Sequence, residues 1–175
     1  FCSVLVDKGS EGVRILNCEI SGWGPTTVGA PNAAICLGNY PHEVTIERCF
    51  IHSPRGRAQS WRYSHPYGPQ AVRLQEPYSL VIRWCDFVGC DSRRFDDVVK
   101  CDGNDGYHSG LNRNSDVCGC FLFGANDDCI ELDGGQQNVR FFGNRCEEAL
   151  MGVSIQCNMT SPSYVFDNAF TGLGT

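Results

Sequence analysis

Apolar and polar residues alternate with period two in short runs along the whole chain, and no stretch shows helical periodicity. One run recurs six times: Val13-Arg14-Ile15-Leu16-Asn17-Cys18-Glu19-Ile20, then the segments at 44–51, 80–87, 115–122, 139–146 and 164–170. A second run recurs between these copies, as Ala34-Ile35-Cys36-Leu37, Ala71-Val72-Arg73-Leu74, Val98-Val99-Lys100-Cys101, Cys129-Ile130-Glu131-Leu132 and Gly152-Val153-Ser154-Ile155. Alternation over a few residues marks a strand with one buried face. Successive copies of the second run lie 23 to 37 residues apart. A solenoid absorbs such variation, because each coil touches only its neighbours and insertions are confined to loops. The longer intervals hold Gly-, Pro- and Ser-rich stretches at 21–33, 52–70 and 102–114.

Aligning the first run produces one column that reads Cys18, Cys49, Cys85, Cys120, Asn144, Asn168. In the second run, alternation sends Ile35 and Leu37, Val72 and Leu74, Val99 and Cys101, Ile130 and Leu132, Val153 and Ile155 inward. The outward residues then form two columns, Cys36, Arg73, Lys100, Glu131, Ser154 and Gly38, Gln75, Asp102, Asp133, Gln156. Neighbouring strands lie about 4.8 Å apart, so Arg73, Lys100 and Glu131 are expected side by side.

On these repeats the chain resembles the right-handed parallel β-helix proteins of the pectate-lyase-like group along essentially its whole length. The resemblance implies an all-β fold: a single-stranded solenoid of about six coils, three short strands per coil. It implies one unit over residues 1–175, the body or a part of a longer β-helix protein. In that group an Asn in the tight turn between the second and third strands stacks on its neighbours, the place Asn144 and Asn168 would take. Cysteine fills it in four earlier coils, a departure from the pattern. Twelve cysteines suit a secreted, disulfide-bonded protein, whereas a column at strand spacing is poorly directed for bridges and packs well as buried thiols. Both readings stay open on sequence. No Cys-x-x-Cys occurs, which argues against a zinc site.

A net charge of −6 argues against nucleic acid or an anionic membrane as partner. No apolar run approaches a membrane span and no basic leader opens the chain. The expected setting is extracellular or cell-surface, and the expected partner a polysaccharide. Open coil ends would be capped by further sequence or another subunit.

In proteins this sequence resembles, the outer sheet face and its flanking loops hold the active site. Lyase action on a uronic-acid polymer needs a base, an acid and neutralisation of the carboxylate. Lys100 or Arg73 would be the base if its pKa is depressed, with Glu131 and His65 beside them. Glu131, Asp133 and Asp102 offer oxygen ligands for calcium. Gln75, Asp102, Asp133 and Gln156 would line the cleft, and Trp61, Tyr67 and Tyr107 would stack on sugar. The alternative is an inverting hydrolase. Asn126-Asp127-Asp128-Cys129 resembles the Asp-Asp-Cys signature of polygalacturonase-type glycoside hydrolases, and Asn104-Asp105-Gly106 lies where they carry an Asn-x-Asp motif. Asp105, Asp127 and Asp128 would be its acids. The downstream Gly-His-Gly and Arg-x-Lys motifs have no counterpart, and the Asp pair also suits a turn bonding its own backbone. A third reading, of another class, is a non-catalytic carbohydrate-binding, adhesive or self-assembling module.

Overall fold

The computed structural model describes residues 1–103, 106–107 and 109–174. Eighteen short strands form three parallel sheets of six. The first sheet contains β1 (Cys2–Val6), β4 (Asn32–Leu37), β7 (Pro69–Leu74), β10 (Val99–Cys101), β13 (Asp128–Glu131) and β16 (Met151–Ser154). The second contains β2 (Arg14–Leu16), β5 (Thr45–Glu47), β8 (Val81–Arg83), β11 (Asp116–Cys118), β14 (Val139–Phe142) and β17 (Ser163–Phe166). The third contains β3 (Glu19–Ser21), β6 (Phe50–His52), β9 (Asp86–Val88), β12 (Phe121–Phe123), β15 (Arg145–Glu147) and β18 (Ala169–Thr171). Each sheet takes every third strand in chain order, so the chain winds as a right-handed parallel β-helix of six coils with three strands per coil. No helix occurs among the described residues.

The corner between the second and third sheets explains the Cys-to-Asn column. Each coil turns there through one residue in the left-handed region: Asn17, Arg48, Trp84, Gly119, Gly143 and Asp167, with φ between +51° and +64°. The next residue is the column member, and from the second coil onward its side chain donates to a carbonyl of the coil before. Cys49 reaches Ile15 O at 3.5 Å, Cys85 reaches Ile46 O at 3.7 Å and Cys120 reaches Ile82 O at 3.8 Å. Asn144 and Asn168 repeat the bond with their amides, to Val117 O and Phe141 O, both at 2.9 Å. Three of these side chains, Cys85, Asn144 and Asn168, also accept the preceding coil's N–H. Cys85 Sγ accepts from Cys49 N at 3.4 Å, and Asn144 Oδ1 accepts from Cys120 N at 2.9 Å. A thiol and a primary amide are interchangeable here because each both donates and accepts, though sulfur does both weakly. The column cysteines are free thiols; the one disulfide among described residues, Cys2–Cys36, lies on the first sheet.

Asn144→Ala is therefore expected to strand the Cys120 N–H, to remove a second donor from the Val117 carbonyl and to cost about 1–3 kcal/mol. Asn144→Cys, which restores both bonds in the form used by the preceding coils, is expected to recover part of that. Chemical denaturation of the three proteins checks both.

Pairing along the first sheet matches the expected inward set: Ile35 opposes Val72, Val72 opposes Val99, Val99 opposes Ile130 and Ile130 opposes Val153. Ile35, Leu37, Val72, Leu74, Val99, Cys101, Ile130 and Leu132 are buried. Ile155 departs from its expected burial. It follows the end of β16 on the terminal coil and is 48% exposed, while Val153 beside it is half-buried.

Candidate functional site

The outward column of the first sheet does form in the expected order. Cys36 opposes Arg73, Arg73 opposes Lys100 and Glu131 opposes Ser154. Cys36 is nearly buried and bonded to Cys2. Arg73 and Lys100 are adjacent in register, yet their charged ends leave the column in different directions. Arg73 Nε donates to both oxygens of Asp102, at 2.9 and 3.0 Å, and Gln75 Nε2 donates to the same carboxylate at 2.7 Å. Lys100 Nζ donates to Asp97 at 2.6 Å and to Glu131 at 3.3 Å, and lies 3.7 Å from Asp96. The expected trio is therefore a Lys100–Glu131 pair with Arg73 turned aside.

Around Lys100 the chain repeats an acidic pair on successive coils. Asp96-Asp97 enters β10 just as Asp127-Asp128 enters β13, and Val99 opposing Ile130 places the two pairs in register. Strict alternation would turn one member of each pair away, but both Asp96 and Asp97 reach Lys100. Asp128 N donates to Asp97 Oδ1 at 2.9 Å, which ties the coils together at this point. The Asp128 backbone is thus bonded to the preceding coil. One carboxylate oxygen each of Asp96, Asp97 and Asp127 gathers within 4.8 Å, as does one each of Asp97, Asp128 and Glu131. All five residues are buried.

The loop over residues 52–70 covers this cluster. Asn126 Nδ2 holds it by donating to Gln59 O at 3.2 Å, and its tip closes where Gln59 N donates to Tyr67 O at 2.9 Å. Gly68 permits the closure, since a Cβ there would come within 2.5 Å of the Ala58 Cα. The held loop sets Trp61 Nε1 3.2 Å from Asp127 Oδ1 and His65 Nε2 3.5 Å from Asp127 Oδ2. His65 was expected beside Arg73; it overhangs Asp127 instead, because the loop is anchored through Asn126 on the coil that carries Asp127. Trp61 and Tyr67 flank the His65 ring at 4.8 and 5.6 Å between centroids. Trp61, His65 and Tyr67 are exposed on their outer sides.

Crowding buried carboxylates around one cation sets their protonation. Burial, followed by the charges of Asp97, Asp127, Glu131 and Asp133, pushes Asp128 up to about 9. Burial and Asp97 raise Asp96 to about 7 against the pull of Lys100 and Gln70. Asp97 is raised as well, chiefly by burial. Burial alone would lower Lys100, but the charges of Asp97, Glu131 and Asp96 outweigh it and raise it above the usual lysine value. The depressed pKa that a lysine base requires is thus reversed: Lys100 is held as an ammonium ion. Asp128 Oδ1 and Asp96 Oδ1 are buried without a hydrogen-bond partner among the described residues, a costly position for a charged oxygen and one that favours the protonated acid.

The remaining expected residues are scattered. Asp133 accepts from Ser154 Oγ at 2.9 Å and from Gln156 N at 2.6 Å, while the Gln156 residue itself is exposed. Of the calcium trio, Asp102 is committed to Arg73, Asp133 to the next coil and Glu131 to Lys100, so the three do not converge. Carboxylate oxygens converge around Asp97 instead, where Lys100 already supplies a positive charge. Tyr107 lines a separate depression with Tyr40, Tyr78 and Arg113. Asp105 lies outside the described residues, with Asn104 and His108. Asp96 and Asp97 were not expected. Their signal was nonetheless present, since each acidic pair directly precedes the same aligned strand.

The molecule thus belongs to the class of parallel β-helices, with a buried acidic cluster on the outer side of one sheet beneath an aromatic loop. Comparison with protein-family models, with curated proteins and with solved structures finds no match for the chain.

Proposed function

We propose that this chain is an extracellular polysaccharide-cleaving β-helix and that its chemistry is glycosidic hydrolysis at Asp127 and Asp128. The observation that carries this reading is the convergence of Asp127 and Asp128 with a second Asp pair beneath Trp61 and His65. Inverting hydrolysis uses one carboxylic acid to protonate the leaving oxygen and one carboxylate to activate water. Asp128, pushed up to about 9, holds a proton at neutral pH and is assigned as the acid. Asp127, which accepts from the Trp61 indole, is assigned as the base. Lys100 offsets the charge of Asp97 and Glu131, so that the acid sits in a cluster of defined charge. Exposed Trp61 and Tyr67 supply apolar faces for sugar rings. The Cys2–Cys36 disulfide supports an oxidising, extracellular setting.

This ordering places hydrolysis ahead of β-elimination, since Lys100 is held protonated and Arg73 is bound to Asp102. A binding module remains the reading of another class. The full burial of Asp96 and Asp97 favours it, because such groups also serve as a structural polar core. Incubation with a panel of acidic and neutral polysaccharides, with and without calcium, separates the three. Reducing ends without ultraviolet-absorbing product are expected. Unsaturated product would replace hydrolysis by elimination, and calcium dependence of it would restore a metal-assisted lyase. Binding without any product would leave only the module.

A further inference from the structure

Beside the acidic cluster lies a depression of about 410 Å³ whose lining includes Arg57, Arg94, Tyr63, Ser60, Gln59 and Asn126. Its position follows from the chain. Arg94 stands two residues before Asp96, Asn126 directly before Asp127, and Ser60 directly before Trp61. The depression is therefore lined by chain neighbours of the groups assigned to bond cleavage and of the tryptophan above them.

Its charge is opposite to theirs. No carboxylate lies within ion-pair distance of Arg57 or Arg94 among the described residues, although the chain as a whole carries −6. Asp91 also lines the depression and pairs with neither. Arg94 is held in place, because its Nη2 donates to Ala125 O at 2.8 Å and also to Glu148 O. These bonds use both hydrogens of Nη2 and leave Nε and Nη1 as single charged donors toward a ligand. Arg57 is exposed and makes no side-chain hydrogen bond among the described residues, and Tyr63, 79% exposed, presents a ring at the same rim. A fixed guanidinium, a free one, an aromatic face and neutral amides suit a sugar ring bearing one anionic group.

We infer that this depression is an anion-reading subsite, in which Arg94 and Arg57 bind the carboxylate or sulfate of a sugar residue adjoining the one held over Asp127 and Asp128. The inference rests on the polysaccharide reading above and assigns the substrate's charge to two residues that the cleavage chemistry does not use. Arg94 positions the anion, Arg57 closes on it from the rim, and Tyr63 covers the ring.

The test is affinity electrophoresis of the intact protein, Arg57→Gln and Arg94→Gln through gels containing polygalacturonate, the same polymer with its carboxyl groups reduced, or a sulfated galactan. Arg57→Gln is expected to weaken binding to an anionic polymer about fivefold to tenfold, the loss of one charge-assisted contact near the surface. Binding to the reduced polymer is expected to stay unchanged. Loss on polygalacturonate alone identifies a carboxylate, loss on the sulfated galactan alone a sulfate, and loss on both a site for either. Arg94→Gln is expected to do the same more strongly; since it also strands the Ala125 carbonyl, the exposed Arg57 variant decides if Arg94→Gln fails to fold. Equal loss on charged and neutral polymers, no loss on any, or no retardation of the unaltered protein by either anionic polymer would overturn the inference. Retardation without product sinks the hydrolase and leaves the subsite, whereas product formation indifferent to Arg57 and Arg94 does the reverse.

Discussion

Replacing Lys100 by methionine is expected to cost about 3–5 kcal/mol of stability near neutral pH, the usual effect of removing one partner from a buried ionic group. Methionine keeps most of the apolar stem and adapts to the cavity, so the loss reports charge more than packing. Lys100 Nζ lies 2.6 Å from Asp97 and 3.3 Å from Glu131, and both aspartates of its own coil are fully buried. Without it, negative charge is left with no cation. The pH dependence follows in sign. In the variant the carboxylates titrate above their unfolded values near 4, so the folded state binds more protons and stability falls as pH rises. The deficit is therefore expected to shrink when the pH is lowered from 8 to 5. In the unaltered protein the raised Lys100 pKa works the other way: its stabilisation is fully present below the unfolded value, about 10.4, and is lost as pH climbs through the folded one. Denaturant midpoints at pH 5, 7 and 8 test this. Equal stability of the two proteins at pH 8 would show that the cluster is not held by its lysine.

The second large effect concerns rate. Asp128→Asn keeps the shape of the side chain and removes its acidic proton, and is expected to lower polysaccharide cleavage about 10²–10⁴-fold. Asp127→Asn, which removes the assigned base, is expected to lose rate over a similar range. In the unaltered protein, the proposed cleavage should decline as pH rises through the Asp128 value of about 9, because a general acid works only while protonated. In the Asp128→Asn variant, stability is expected to move oppositely to rate. Between its unfolded pKa near 4 and its folded value, Asp128 binds a proton in the native state that the unfolded chain has released, so it weakens the fold progressively as pH rises. The amide of the Asp128→Asn variant does not titrate and contributes no such slope. Each kcal/mol gained would raise the melting temperature by about 2–4 °C in a chain of this size. A variant that loses rate and gains stability at pH 8 marks a functional acid; one that loses neither marks a structural one.

Much of the fold was legible because a solenoid writes its register into the sequence. The Cys-to-Asn column was readable from alignment alone, since every coil must satisfy the same N–H and carbonyl at the same corner. The inward set followed from alternation and failed only at Ile155, where β16 has ended and period two no longer governs the side chain. The site was less legible for two reasons. Asp96 and Asp97 sit where alternation breaks on entry to β10, so a rule that assigns one outward residue in two could not place both on Lys100. Trp61 and His65 reach Asp127 across more than sixty residues through an irregular loop, whose path is set by the Asn126 amide and the space at Gly68. Neither leaves a periodic trace. Lys100 was located correctly in the outer column but its proton affinity was not, because that depends on three carboxylates converging from two coils.

The register between the two Asp pairs has a consequence for how such a molecule can change. Asp96-Asp97 and Asp127-Asp128 are brought together by the strand pairing of β10 with β13. A solenoid confines insertions to its loops, so residues added there leave one carboxylate in place relative to another. The arginine-lined depression and the aromatic loop draw on residues 57–67, and the acids stand where the chain enters β10 and β13. The proposed recognition and the proposed chemistry are thereby written in separable parts of the chain, so the first can drift while the second stands still.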